Sequence, residues 1–211
     1  METDVVQSVA RYAEEVMGSE GFRYVSAVVA NCKMLALQLE PAEDGQTADI
    51  DLDALTVAGY LHDISTVSQG FQDHQIKSAE MAEEFLKGIN VPESQITRIT
   101  QAILSHTQVS TSEDHEEPVT EGRILYDADK LGRLSGLAVV TSLIEFGSRY
   151  PNRAVTGEVL AAILRHIEER FIELYQSLNT APAREMARDK FNKTLAFLDG
   201  VVEHLGDATP V

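Results

Sequence analysis

The chain has 211 residues, 34 of them acidic and 17 basic, for a formal net charge of −17, and 44% of its residues are hydrophobic. That charge excludes a long phosphate backbone as partner, because no basic stripe exists to displace its counterions, so no nucleic acid is expected. A chain of this size can bury a sizeable core and fits a single domain over residues 1–211, and no apolar stretch approaches the roughly 20 residues a membrane helix requires.

The N-terminal stretch METDVVQSVARYAEEVM carries acids from its second residue and lacks the basic flank and apolar centre of a signal peptide, so a cytoplasmic protein without a membrane partner is expected. Apolar residues then recur at helical spacing: Val5, Val9, Tyr12 and Val16; Val25, Val28, Val29, Cys32 and Leu35; Leu52, Leu55, Ala58 and Leu61. Cys32 lies within this pattern and reads as a small core residue. Further helices are predicted over 73–88, 92–106, 119–130, 131–147, 155–178 and 181–205. Between the first two of these, Gly88 closes one helix and Asn90 is placed as the N-cap of the next, with Pro92 near its first position and Glu93 completing a capping box. The loops PAEDGQTADI and STSEDHEEP are polar and acidic; His115, inside the second, reads as a solvated loop residue. The fold class is therefore all-α, with a long helical pair at the C-terminus.

Polar residues interrupt this pattern where it predicts burial. In GYLHDIS, His62 and Asp63 end an apolar helix; His74 begins a helix whose inward positions are placed at Met81 and Phe85; His106 follows Ile99 and Ile103 at helical spacing; Asp127 and Asp129 interrupt ILYDADKLGRL. A lone buried carboxylate is costly, so these groups need a cation, a hydrogen-bond network or an open cleft. Three histidines and three aspartates at helix faces or ends fit one shared polar site. Nitrogen and oxygen donors without thiolate suit a divalent metal such as manganese, iron, magnesium, nickel or zinc.

LHDIS, His74 followed by SAEMAEEFL, AILSH, EGRILYDADKL and HIEERFIELYQSLNTAPAREMARDKF, in this order and spacing, resemble the HD-domain superfamily of metal-dependent phosphohydrolases, in particular its small stand-alone members with a DADKL helix. The resemblance implies an HD-type helical bundle in which His62, Asp63 and Asp129 bind metal and His74 and His106 supply extra ligands or phosphate contacts. Asp127 reads as a hydrogen-bonded carboxylate outside the ligand set. Two positions depart from the family pattern on the second helix, where Tyr24 stands for its first histidine and Ala27 for an arginine; Gly132 stands where many relatives carry a further aspartate. Tyr24 is expected beside the metal ligands or filling the cavity, and the metal is expected to be held more weakly.

The implied chemistry is hydrolysis of a small phosphorylated ligand, a nucleotide or another phosphate ester, by a metal-activated water, with Asp63 and Lys130 as the catalytic pair. Lys130, Arg133 and Arg123, beside Asp129 or on the preceding turns, either bind phosphate or are ordinary surface charges. His166 competes between packing and catalysis, and His204 complements a helix dipole. The alternative is a degenerate HD domain that binds a ligand or partner without turnover. Monomer and homo-oligomer are both compatible with the sequence.

Overall fold

The computed structural model describes residues 3–39, 49–107, 120–134, 136–151 and 156–207. Residues 41–48 of the first acidic loop and the whole of the second, with His115, lie outside them, as does the His204 side chain. Among the described residues the secondary structure is wholly helical: α1 Thr3–Gln38, α2 Leu52–Leu61, α3 Thr66–Gln69, α4 His74–Gly88, α5 Glu93–Ser105, α6 Glu121–Arg133, α7 Gly136–Arg149, α8 Gly157–Gln176 and α9 Ala181–Asp207. None of these helices is long and apolar enough to cross a membrane.

Backbone contacts group the chain into two compact units, interleaved in sequence: one holds residues 1–129 with 179–183, the other 130–178 with 184–211. In the first unit α1 breaks at Gly18, whose φ of 70° and ψ of 176° interrupt the helix. Beyond the break, Val25, Val28, Val29, Cys32 and Leu35 are buried against α2. The two helices approach closely at Gly59, where a Cβ would meet Val29 Cγ2 at 2.8 Å. Both α2 from Ala54 to Gly59 and α6 from Ile124 to Asp129 are buried on every face, which marks them as the central helices of this unit.

Asp51 caps α2, its Oδ1 accepting from Asp53 N and Ala54 N at 3.0 and 2.9 Å. Gln95 Nε2 donates to its other oxygen, and Glu121 Oε1 accepts from Asp51 N and Arg98 Nε, both at 2.8 Å. This network fixes the α2 N-terminus and leaves its C-terminus to carry His62.

Asn90 serves the opposite helix end from the one expected. It adopts the left-handed conformation (φ 60°), with Asn90 N donating to Lys87 O and Val91 N to Leu86 O, a Schellman closure of α4 in which Asn90 takes the place usual for glycine. Gly88 is the last helical residue, and the α5 N-cap is Pro92, with no side-chain cap bond. The inward residues of α4 are Ser78, Ala79, Ala82 and Leu86, whereas Met81 and Phe85 are half-buried, Phe85 stacked on Tyr12 at 3.9 Å. A predicted boundary at 130/131 also moves: α6 runs to Arg133 because Leu131 and Leu134 extend its buried stripe. In the second unit, Lys190 Nζ donates to Leu131 O at 2.9 Å, and α8 and α9 supply the expected long helices, Tyr175 stacked on Phe191.

Candidate metal centre

His62 is the C-cap of α2, and Asp63 follows in the turn, its backbone carbonyl accepting from Thr66 N and Oγ1 at 3.0 and 2.7 Å. The start of α4 is fastened to this turn by two buried serines. Ser78 Oγ donates to Ser65 Oγ at 2.9 Å and accepts from Ser65 N, while Ser65 Oγ donates to His74 O at 3.1 Å. His74, the first residue of α4, therefore lies beside Asp63, with Nε2 3.3 Å from Oδ1. His106, the C-cap of α5, is carried inward by the buried stripe of Ile99 and Ile103, and its Nε2 is 3.9 Å from the same oxygen. His62 Nε2 is 3.5 Å from Asp63 Oδ2. Ligand atoms of His62, Asp63 and His106 all fall within 4.8 Å of one another.

Each of the three imidazoles makes the same local contact: Nδ1 of His62, His74 and His106 is bonded to the carbonyl three residues earlier, that of Gly59, Phe71 and Ile103. A carbonyl only accepts, so Nδ1 carries the proton and Nε2 of the neutral ring is left as a lone pair. All three Nε2 atoms face the Asp63 carboxylate. Among the described residues, His62 Nε2 and Asp63 Oδ1 are buried without a hydrogen-bond partner. A cluster of acceptors facing acceptors is costly unless a cation lies among them. Protonation is a poor substitute, since burial, with neighbouring His62, pushes the His106 imidazole down to about 4. The donor set, imidazole Nε2 with carboxylate and with Nδ1 held by a carbonyl, fits a divalent metal.

Asp129, 1% exposed in the middle of α6, accepts a hydrogen bond from Tyr24 Oη, and its charge favours protonated His106. Tyr24 is 6.5 Å from His62 between ring centroids, so the phenol stands at the edge of the cluster. Asp127 has a different use. Its Oδ1 accepts from Asn179 N and Nδ2 at 2.7 and 3.1 Å, and its Oδ2 from Thr180 N and Oγ1 at 2.8 and 2.7 Å, which fastens the segment leading into α9. Burial nonetheless holds this carboxyl above its ordinary range, against those four donors. Lys130 and Arg133 fall in the second unit. Arg123 is six residues from Asp129 on α6, about 120° round the helix, and so on another face. His166 is exposed on α8.

With this geometry in view, comparison with known proteins is specific. The HD domain matches residues 25–134, just over half of the 211-residue chain. The chain belongs to the HD-domain family, a family of metal-dependent phosphohydrolases. Similar solved structures include an HD-superfamily hydrolase from Bacillus thuringiensis, with a TM-score of 0.73 and 14% identity over 99% of this chain and 100% of that one. YpgQ from Bacillus subtilis has a TM-score of 0.66 and 14% identity over 94% and 93%, and a Lactobacillus plantarum protein 0.63 and 18% over 98% and 99%. At these identities the likeness speaks for the fold. Among curated proteins, no match to the chain was found.

Proposed function

We propose that this chain is a phosphohydrolase acting on a small phosphate ester, most simply a nucleotide, with a divalent metal held by His62 and Asp63 and completed by His74, His106 and Asp129. The observation that carries this reading is the inward-facing set of Nε2 atoms around the Asp63 carboxylate, a donor set suited to a divalent cation. A divalent ion there supplies an activated water near neutral pH and positive charge opposite a phosphoryl oxygen. The chain's own part is to hold Asp63 between the turn contacts of Thr66 and the serine pair, so that its two oxygens are aimed before substrate arrives.

Elemental analysis of protein purified without chelator should find metal in the wild type and a marked loss in folded Asp63→Ala. Manganese, nickel or magnesium should then stimulate release of phosphate or pyrophosphate from a panel of nucleoside mono-, di- and triphosphates. Equal metal in both folded proteins would overturn the assignment. The second reading, a degenerate domain that binds without turnover, is favoured by one observation: a phenol rather than an imidazole sits on Asp129. Tight nucleotide binding with no product under any of the three metals would select it.

A further inference from the structure

Phe71 is 74% exposed, and it lies beside the candidate metal centre rather than on a remote surface. Its ring is 6.2 Å from that of His74 at an interplanar angle of 70°, while His74 Nε2 faces Asp63. The backbone that presents it is built. Gly70 (φ 72°) and Asp73 (φ 54°), on either side of it, both have positive φ, Asp73 in the left-handed conformation. Phe71 O accepts from His74 Nδ1 at 3.0 Å, and Lys77 Nζ donates to Gln72 O at 2.8 Å and to Gln69 O at 3.5 Å. Two positive-φ residues and three tethered carbonyls hold the turn in a shape that turns its one large apolar side chain outward. A non-glycine residue in that conformation is stored strain of the kind found at ligand clamps.

From this placement, and resting on the phosphohydrolase reading above, we propose that Phe71 is the platform on which the flat aromatic part of the substrate stacks while its phosphate lies at the metal cluster. The site then selects phosphate esters that carry a planar aromatic group, a nucleobase first among them, over esters of a bare sugar. A phenyl face is sequence-tolerant toward bases, because every base offers a π-face. The platform therefore confers a preference for nucleotides as a class with little choice among them.

Two matched pairs of probes test this on the full chain: AMP against ribose 5-phosphate, and ATP against inorganic tripolyphosphate. Binding is measured by calorimetry with manganese present, so no turnover is required and failure of the hydrolase reading leaves the test intact. Wild type should bind the member with the base more tightly in at least one pair. Phe71→Ala should weaken that member roughly tenfold, leave its base-free counterpart and the manganese affinity unchanged, and be rescued by Phe71→Trp. Circular dichroism checks that these variants, changed at an exposed side chain, fold as the wild type does. Equal affinity within both pairs, an equal loss for both members in Phe71→Ala, or binding of no phosphate at all would overturn the proposal. So would a drop in oligomeric state in Phe71→Ala with AMP and ATP binding intact, which would assign the ring to a second copy of the chain.

Discussion

Tyr24 Oη donates to Asp129 Oδ1 from the residue just before the HD match begins. A phenol with an ordinary pKa of about 10 keeps its proton at neutral pH and is a poor ligand for manganese or magnesium, but it is a good donor to a buried carboxylate. Tyr24 therefore orients Asp129 through this hydrogen bond. Tyr24→Phe removes only that donor and, with Asp129 as the proposed ligand, should weaken metal binding by about tenfold, the usual cost of losing a hydrogen-bond partner of such a carboxylate. Tyr24→His restores a nitrogen lone pair and should tighten it. Calorimetric titration of manganese into the two folded variants measures both, and unchanged affinity in each would place Tyr24 outside the metal's reach. His62, Asp63 and His106 were legible in the sequence because helical spacing put polar groups on faces that must be buried. Ser65 and Ser78, which fasten His74 to that turn, were not legible: a serine thirteen residues from another leaves no periodic trace, and only the folded chain pairs them. The exposure of Phe71 leaves no sequence trace either, since a lone aromatic in a loop reads the same whether buried or exposed.

At the scale of a helix, the two ends of α2 have separate tasks. Burial pushes the Asp51 carboxyl up, but hydrogen bonds from Ala54 N, Gln95 Nε2 and Asp53 N, with the Arg98 charge nearby, outweigh it and hold the group below its ordinary value. A depressed carboxyl contributes stability that is present above its unfolded pKa of about 4 and lost as the pH falls through the lower folded value. Asp51→Asn keeps an acceptor at the cap and should flatten this acid limb, whereas Asp51→Ala should also cost about 1 kcal/mol at neutral pH. Urea denaturation at pH 7 and pH 3 distinguishes the two. Near the other end, Gly59→Ala should cost about 1–3 kcal/mol by forcing a methyl into Val29. Val29→Ala should recover part of that loss in the double variant, by thermal denaturation. Helix identities were legible along most of the chain, and their ends were less so. Asn90 reads as a start signal because asparagine favours both a helix N-cap and the left-handed conformation, and here the second preference prevailed.

For the whole molecule, the proposed ligands all belong to the unit of residues 1–129 with 179–183. A metal that binds the folded state alone adds about 2.7 kcal/mol at a concentration one hundred times its dissociation constant. Manganese should therefore raise the melting transition of that unit and EDTA lower it, and in Asp63→Ala neither should matter. Differential scanning calorimetry of wild type and variant with and without metal checks this, and an equal shift in both proteins would point to metal bound elsewhere.

The four hydrogen bonds from residues 179 and 180 to Asp127 bear on how such a chain can be cut and rearranged. The family match stops at residue 134, yet the carboxylate two positions before Asp129 draws its donors from 52 and 53 residues downstream. An expression fragment that ended with the family match would strip a buried carboxylate of those partners next to a proposed metal ligand. Its failure to fold or to bind metal would then be an artefact of the boundary. Residues 130–178 are, in chain order, an excursion spliced between two pieces of one unit. A gene truncation is thus the wrong dissection for this protein, and a short linker joining Asp129 to Asn179 is the one that keeps the donors of Asp127 in the fragment.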